Sequence, residues 1–200
     1  MCYCSVKEHY DLLIQEGDDP TKDSEQLKKY MNNWDGEVFL QELQRIGGEF
    51  ALEIGIGTGR LALQTSRLYK CLDGVDLSPL TVKKAKENLS CFSNVNVFCE
   101  DILNFQPKRK YDIIYSSLTF MHIKRKEQAF HKIALLLKKD GGFVLSIDKA
   151  QKEKLCCGER KVKLYPDSLK ETEQLLKKVG FCLEKIQETP SAYIITALKK

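Results

Sequence analysis

The sequence predicts an α/β protein with a doubly wound, mostly parallel sheet, and three observations predict it. From residue 50 onward, short apolar segments alternate with segments of helical periodicity. The first two apolar segments stop at glycine or at a polar residue. The last two are joined by a short link around Pro190, which predicts an antiparallel pair. In such a sheet the helices cover both faces, and ligands bind outside the carboxyl ends of the strands.

The pattern predicts each element in turn. Ser78 and Pro79 are a typical N-cap and first helical residue. Ser168 opens a capping box with Glu171, and Gly180 is a typical stop for the helix that follows. The predicted strands cover residues 50–54, 71–78, 95–102, 111–118, 142–148, 181–189 and 191–200. The predicted helices cover residues 58–69, 79–89, 125–139 and 168–179.

Residues 1–48 form a separate, helix-prone segment before the predicted sheet domain, which covers residues 49–200. The segment 16–23 divides it, so two helices are expected. Tyr30 and Trp34 are among its aromatic residues. The segment is either a helical lid over the ligand edge or an extension that only packs beside the sheet.

Composition excludes several classes of function. The chain has 200 residues and a net charge of +4, with lysines spread beside acidic residues, and this balance does not indicate nucleic-acid binding. No apolar leader and no run of 18 apolar residues is present, so a cytoplasmic chain with reduced thiols is expected. The pairs Cys2/Cys4 and Cys156/Cys157 lack the second hook of a zinc site, and no metal is expected.

The glycine-rich stretch "LEIGIGTGRLAL", residues 52–63, follows the first predicted strand. No Gly-Lys-Ser/Thr follows, which excludes a Walker phosphate loop. Arg60 stands where a dinucleotide fingerprint has its third glycine, which argues against NAD and FAD. Asp76 lies near the end of the second predicted strand, and a carboxylate there can accept hydrogen bonds from ribose hydroxyls. With Glu100, Asp101 and Ile102 after the third strand, these residues describe a pocket for an adenosine without a phosphate.

The ordered motifs "LEIGIGTG", "GVDLS", "CEDI", "YDIIYSSLTFMHI" and "LLLKKDGGFVLSID" resemble those of class I methyltransferases. These are seven-stranded, Rossmann-like enzymes that use S-adenosylmethionine and release S-adenosylhomocysteine, and the resemblance to their small-molecule type covers residues 50–199. It implies a seven-stranded sheet with an antiparallel last strand. It also implies that Gly55 and Gly57 cradle the methionine part and that Glu53 orients the glycine loop. The expected cofactor-binding residues are Tyr30, Trp34, Glu53, Gly55, Ile56, Gly57, Arg60, Asp76, Leu77, Glu100, Asp101, Ile102, Ser117 and Leu118.

Arg60 and His122 carry further expectations. Arg60 either reaches the cofactor carboxylate or is a solvated residue of a first helical turn, where an arginine opposes the helix dipole. His122 follows the fourth strand and is a candidate general base, because histidine is the natural base at neutral pH. Packing at the start of the next helix is the alternative for His122.

The acceptor is expected to be a small molecule. The fourth strand lacks the Asn/Asp-Pro-Pro-aromatic motif of base-amino methyltransferases, the magnesium-binding acid of catechol-type enzymes and the paired glutamates of protein-arginine enzymes. The long segment 149–166 is a second candidate for specificity and includes a possible short strand in "RKVKLYP". Two alternatives stay open: a methyltransferase acting on RNA or protein, and a non-catalytic binding module that retains the fold. No membrane partner is expected, and the oligomeric state is not predicted.

Overall fold

The computed structural model describes residues 3–200 of the chain. The strands are β1 Tyr3–Cys4, β2 Phe50–Ile54, β3 Cys71–Asp76, β4 Val95–Cys99, β5 Tyr111–Ser117, β6 Leu137–Asp148, β7 Lys154–Cys157, β8 Arg160–Lys163, β9 Phe181–Glu188 and β10 Ala192–Lys199. The helices are α1 Val6–Gln15, α2 Glu25–Asp35, α3 Glu37–Ile46, α4 Ala62–Thr65, α5 Pro79–Asn88, α6 Lys126–Leu136 and α7 Leu169–Lys178. Short 3-10 turns cover Pro20–Lys22, Ser66–Leu68 and Phe120–His122.

The predicted α/β class with a seven-stranded sheet is confirmed. The strand order is β4-β3-β2-β5-β6-β10-β9, and β10 runs antiparallel to both β6 and β9. β2 pairs in parallel with β3 on one side and with β5 on the other. The strand order therefore runs outward in one direction from β2 to β4 and in the opposite direction from β5 onward. Loops at the carboxyl ends of β2 and β5 therefore diverge to opposite faces and leave a crevice.

Each face of the sheet buries its own apolar cluster. On one face, Phe120, Phe130, Phe143 and Phe181 form a run of contacting rings. On the other face, the buried Phe39 of α3 packs edge-on against Tyr115 of β5. Burial on both faces is expected for a parallel sheet covered by helices, and it fixes the ends of the strands in place.

Two predicted helices are shorter than expected. The first predicted helix, residues 58–69, is reduced to α4 and a 3-10 turn, since turns of the glycine loop occupy residues 56–61. The helix predicted over 125–139 ends at Leu136, and Leu137 already pairs with Tyr111 as the start of β6. Lys138 then donates to Asp112 (2.7 Å). This tertiary pairing overrides the helical periodicity of the leucine run.

The N-terminal segment forms three helices rather than two. Gly36 lies between α2 and α3, and only glycine fits there because a Cβ at this position would lie 2.5 Å from the carbonyl oxygen of Asn32. The α1 helix lies against α5, where Asp11 Oδ1 accepts hydrogen bonds from Ser78 Oγ (2.6 Å) and Leu80 N (3.0 Å). Asp11 thereby adds a carboxylate at the N-terminus of α5, where the helix dipole favours negative charge.

Part of the segment 149–166 forms a second, small sheet with the N-terminus. β7 and β8 form an antiparallel hairpin, and β1 pairs in parallel with β8. The possible strand in "RKVKLYP" is thus β8. Tyr165 N donates to Met121 O (2.7 Å), which ties the end of this segment to the turn that carries His122. Among the helices of residues 3–200, none has the length and apolar character needed to cross a bilayer.

Candidate functional site

A cavity lies at the carboxyl ends of the central strands, and α1 forms one of its walls. The strand ends and the loops after them supply most of the lining, as expected for a sheet that reverses its order at this point. The lining residues are Val6, Lys7, Tyr10, Ile54, Gly55, Gly57, Val75, Asp76, Leu77, Ser78, Glu100, Asp101, Ile102, Ser117, Leu118, Thr119, His122 and Ile123.

The glycine loop needs its glycines for two different reasons. Gly55 has a φ of +74°, and a Cβ there would lie 2.0 Å from Thr119 Oγ1, so a side chain would force the two loops apart. Gly57 has a φ of +58°, and a Cβ there would meet no protein atom within 4 Å. Since Gly57 lines the cavity, that open space is room for a ligand to approach the backbone.

Asp76 joins the glycine loop to the start of α5. Its Oδ2 accepts from Gly57 N (3.1 Å) and its Oδ1 accepts from Ser78 N (3.0 Å). Burial raises the pKa of this carboxyl, while the backbone hydrogen bonds oppose that rise. Carboxylate oxygens have free lone pairs beyond one bond each, so Asp76 can also accept from two adjacent hydroxyls such as those of a ribose.

Residues after β4 form the far side of the cavity. Asp101 Oδ1 accepts from Leu103 N (2.9 Å), which fixes the turn after this strand. Glu100 and the buried Ile102 also line the cavity, and Leu77 lies in the lining beyond Asp76. Apolar Ile102 and Leu77 with flanking carboxylates suit a flat purine ring that carries an amino group. The residues present at this edge therefore fit the adenosine of S-adenosylmethionine.

The end of β5 carries backbone strain. Leu118 adopts a φ of +53°, in the left-handed region that a leucine rarely enters. Thr119 Oγ1 donates to Ser117 O (3.0 Å) and helps to hold this turn. Ser117 and Leu118 both line the cavity, as expected for backbone that contacts a ligand.

A buried carboxylate that the sequence did not reveal lies behind this turn. Asp35, the last residue of α2, accepts from Ser117 Oγ (2.6 Å) and from both terminal nitrogens of Arg60, with Nη1 at 3.0 Å. Its side chain is fully buried. Arg60 is thus neither a solvated residue nor among the residues that line the cavity. Its guanidinium pairs with Asp35, so the structure does not bring Arg60 to the cavity as the resemblance implied.

Four other expected cofactor residues also lie outside the lining. Tyr30 is 56% exposed and contacts Trp34 edge-on, so the structure does not bring this aromatic pair to the cavity. Ile56 is buried and packs where Gly74 leaves room for it. Glu53 is buried, and its hydrogen bond comes from Tyr115 Oη (3.0 Å) rather than from the glycine loop. Burial raises the pKa of Glu53 to about 8, so this carboxyl is largely protonated at neutral pH.

His122 lies in the lining and is held by a residue of α1. Its Nε2 and the hydroxyl of Tyr10 are 2.9 Å apart, and the two rings meet edge-on. Nδ1 of His122 is buried and has no hydrogen-bond partner. Burial lowers the pKa of His122 to about 4, with His9 and Lys126 adding to the effect, so the imidazole is neutral at pH 7. Sequence reasoning missed Tyr10, because nothing local marks which N-terminal aromatic faces the strand ends.

The chain is similar in sequence to known methyltransferases. A family model described as a methyltransferase domain matches residues 51–141. The "Malonyl-[acyl-carrier protein] O-methyltransferase 1" of Ilyobacter polytropus is 35% identical over 97 residues, which are 48% of this chain and 36% of that protein. The chain therefore spans little more than a third of that relative's length.

Two further proteins match over more of their length. The "Putative protein N5-glutamine methyltransferase" of Methanocaldococcus jannaschii is 30% identical over 157 residues, which cover 75% of this chain and 79% of that protein. The crystal structure of an S-adenosylmethionine-dependent methyltransferase from Aquifex aeolicus superposes with a TM-score of 0.74 at 18% identity, covering 95% of this chain and 98% of that one.

Gly57 and Gly158 offer a matched pair of substitutions. Both have a φ near +58°, and a Cβ at either position would meet nothing within 4 Å. Gly57→Ala and Gly158→Ala should each lower the free energy of unfolding by about 1–2 kcal/mol, because alanine resists the left-handed backbone. Only Gly57→Ala should weaken binding of S-adenosylhomocysteine in calorimetry, by roughly tenfold or more, because its methyl group enters the cavity. Equal affinities for the two variants would show that Gly57 does not face the ligand.

The buried carboxyl of Glu53 should make stability depend on pH. Its pKa is about 8 in the folded chain and near the ordinary value when unfolded, so between these values the folded state binds more protons. Stability should therefore fall as pH rises from about 4.5 to 8. Relative to Glu53→Gln, wild type should lose on the order of 3 kcal/mol across this range. Urea unfolding of both proteins at several pH values measures the difference, and parallel curves would contradict the raised pKa.

Proposed function

Because the chain belongs to the class I S-adenosylmethionine-dependent methyltransferases, we propose that it transfers the methyl group of S-adenosylmethionine to a small acceptor molecule. One observation carries the proposal: the glycine loop, Asp76, Asp101 and His122 all line a single cavity. The residues that fit adenosine and a candidate proton acceptor thus line the same cavity. The names of the relatives support methyl transfer but include protein-borne acceptors, so they do not decide the acceptor.

The cofactor supplies a methyl group that is already activated by its positive sulfur. The chain then has to bind the donor, place the acceptor in line with the methyl and exclude water. Gly57 leaves room at the backbone, Asp76 can accept from the ribose hydroxyls, and Ile102 with Leu77 can enclose the purine. The strained turn at Leu118 lies at the end of β5, where backbone groups can fix the amino-acid end of the donor.

The wall that α1 contributes favours a small acceptor. Val6, Lys7 and Tyr10 close one side of the cavity, and Asp11 holds α1 against the first turn of α5. Residues 1–48 act in this proposal as a cap over the ligand edge, with α1 rather than Tyr30 and Trp34 in contact with the ligands. A macromolecular acceptor would have to insert a thin extended group past this wall.

His122 is proposed as the general base for an acceptor that arrives protonated. Its imidazole is neutral at pH 7 and can therefore take a proton at a ring nitrogen, while the hydroxyl of Tyr10, 2.9 Å from Nε2, orients the ring. With S-adenosylmethionine bound, the acceptor would gain the methyl group as the sulfur–methyl bond breaks, and its proton would move to the imidazole of His122. S-adenosylhomocysteine would be released as a neutral thioether, and the positive charge of the donor would then reside on the protonated imidazole.

The proposed activity can be tested by label transfer. Wild-type protein incubated with methyl-labelled S-adenosylmethionine and a cell extract should place label in the low-mass fraction. Asp76→Ala should bind S-adenosylhomocysteine about 10–100-fold more weakly, because two hydrogen bonds to a charged group are lost. Asp148→Ala, at the carboxyl end of β6 and outside the cavity lining, is the matched control and should bind normally. Label in protein or RNA would refute the small acceptor, and no binding to wild type would refute the function.

A substitution of His122 can test its role as a base separately from cofactor binding. His122→Ala should lower kcat by about 100-fold or more, the usual contribution of a general base, with little change in affinity for S-adenosylhomocysteine. Tyr10→Phe removes only the hydroxyl that orients the imidazole, and a smaller loss of kcat is expected. A full kcat in His122→Ala would show that the acceptor arrives deprotonated and that this histidine only packs.

A further inference from the structure

Two carbonyl groups of the 3-10 turn that carries His122 are held by partners from outside the turn. The backbone oxygen of Phe120 accepts a hydrogen bond from Lys126 Nζ (2.9 Å). The backbone oxygen of Met121 accepts from Tyr165 N (2.7 Å). These two carbonyls belong to the residues directly before His122, so the direction in which its side chain leaves the turn depends on both contacts.

Lys126 does not lie where a lysine stabilises its own helix. It is the first residue of α6, and a cation there opposes the helix dipole. The N-cap of this helix, Arg125, makes no side-chain capping bond. Only 16% of the Lys126 side chain is exposed, so its ammonium group is held within the protein. A residue that conflicts with its local helix in this way indicates a role in tertiary contact or in function.

A buried carboxylate holds Lys126 in this position. Asp167 Oδ1 accepts from Lys126 Nζ, and only 2% of the Asp167 side chain is exposed. The backbone of Asp167 is fixed by Gln151, whose Oε1 accepts from Asp167 N (2.7 Å) and whose Nε2 donates to Asp167 O (3.3 Å). Nε2 of Gln151 also donates to Asp148 O (3.0 Å), at the end of β6. The end of β6 is thereby connected, through Lys126, with the turn that carries His122.

The orientation of the His122 ring requires such an anchor. Inside the cavity the hydroxyl of Tyr10 lies 2.9 Å from Nε2, at the tip of the ring. A contact at the tip fixes the imidazole only if the backbone that carries the ring is fixed as well. The backbone N of His122 donates to Thr119 O (2.9 Å), a bond within the same loop. The contacts of Phe120 and Met121 are the ones that tie this loop to other segments.

We propose that Lys126, paired with Asp167, is a positioning residue for the methyl transfer, because it fixes the turn that presents His122 to the cavity. The inference rests on the proposed function, in which His122 is the general base. Lys126 is not among the residues that line the cavity, so it acts on the reaction through the turn. A base must lie within hydrogen-bond reach of the proton that it takes, and a small displacement of a catalytic group can slow a reaction strongly.

The ring signals of His122 in the ¹⁵N-labelled protein report the position of the turn without any need for activity. Lys126→Met removes the charge and the donor, and its His122 signals should move toward those of Tyr10→Phe, because the ring loses its tyrosine partner. Lys126→Arg keeps the charge and the donors and should retain the wild-type signals. Lys178→Met is the matched control, since it breaks only the exposed pair with Glu127 (2.8 Å) at the same end of α6, and it should also retain them. Wild-type ring signals in Lys126→Met would overturn the proposal.

A double substitution avoids leaving a buried charge without a partner. In Lys126→Met the carboxylate of Asp167 is left alone, and breaking a buried pair at one side is strongly destabilising. Lys126→Met combined with Asp167→Asn removes both charges and still lacks the donor to Phe120 O. It should therefore be the more stable of the two variants and show the same movement of the His122 signals. Wild-type signals in the folded double variant would overturn the proposal as well.

Label transfer from methyl-labelled S-adenosylmethionine to the cell extract, at saturating cofactor, measures the effect on the reaction. Lys126→Met should lower the initial rate about tenfold, and Lys126→Arg should recover most of it. In a His122→Ala background the same substitution should change the rate by less than about twofold, because the residue that it positions is gone. An equal loss in both backgrounds would show that Lys126 acts by another route and would overturn the proposal, as would a full rate in His122→Ala.

Binding of S-adenosylhomocysteine separates this inference from the proposed function. Every variant should bind it within about threefold of wild type, because neither Lys126 nor Asp167 lines the cavity. If wild type binds no S-adenosylhomocysteine and transfers no label, the proposed function fails, whereas the ring signals still decide whether Lys126 fixes the turn. If wild type transfers label and Lys126→Met keeps the full rate, only the positioning role fails.

Discussion

The buried carboxylate of Asp35 is the interaction on which the ligand end of the molecule depends. It ends α2, pairs with Arg60 beyond the glycine loop and accepts from Ser117 at the end of β5. A carboxylate without solvent must be paired, and removing one partner of such a pair is usually far more damaging than removing both. These three segments are therefore held in one arrangement, and the turn that strains Leu118 is built on it.

The sequence predicts best those site residues that lie at or just after the ends of the strands. The strands that end at Ile54, Asp76 and Cys99 follow from short apolar segments with glycine or acidic residues after them. The ends of parallel neighbours must meet at one edge of a sheet, so their side chains meet whatever the distant packing. That is why Gly57, Asp76, Asp101 and Ile102 share a cavity as their order along the chain predicts.

The sequence does not predict the features that depend on contacts between segments far apart in the chain. Tyr10, Tyr30 and Trp34 are all aromatic residues of a polar, helix-prone segment, and periodicity alone does not tell which of them faces the strands. The structure selects Tyr10, because Asp11 docks on the first turn of α5 and turns its neighbour toward His122. Arg60 is a similar case, since its partner Asp35 lies 25 positions away on another element. The early end of α6 likewise depends on Asp112, which no helical pattern includes.

The parallel pairing of β1 with β8 sets the order in which the molecule can be assembled. Cys4 lies beside Val162, so the strand that leads into α1 finds its partner only after most of the chain is available. Closing so long a loop has a high entropic cost, and such contacts tend to form late in folding. During synthesis, strands β2 to β6 and the glycine loop emerge before the hairpin of β7 and β8 with which β1 pairs. The wall that α1 adds to the crevice is therefore synthesised well before the hairpin that anchors it.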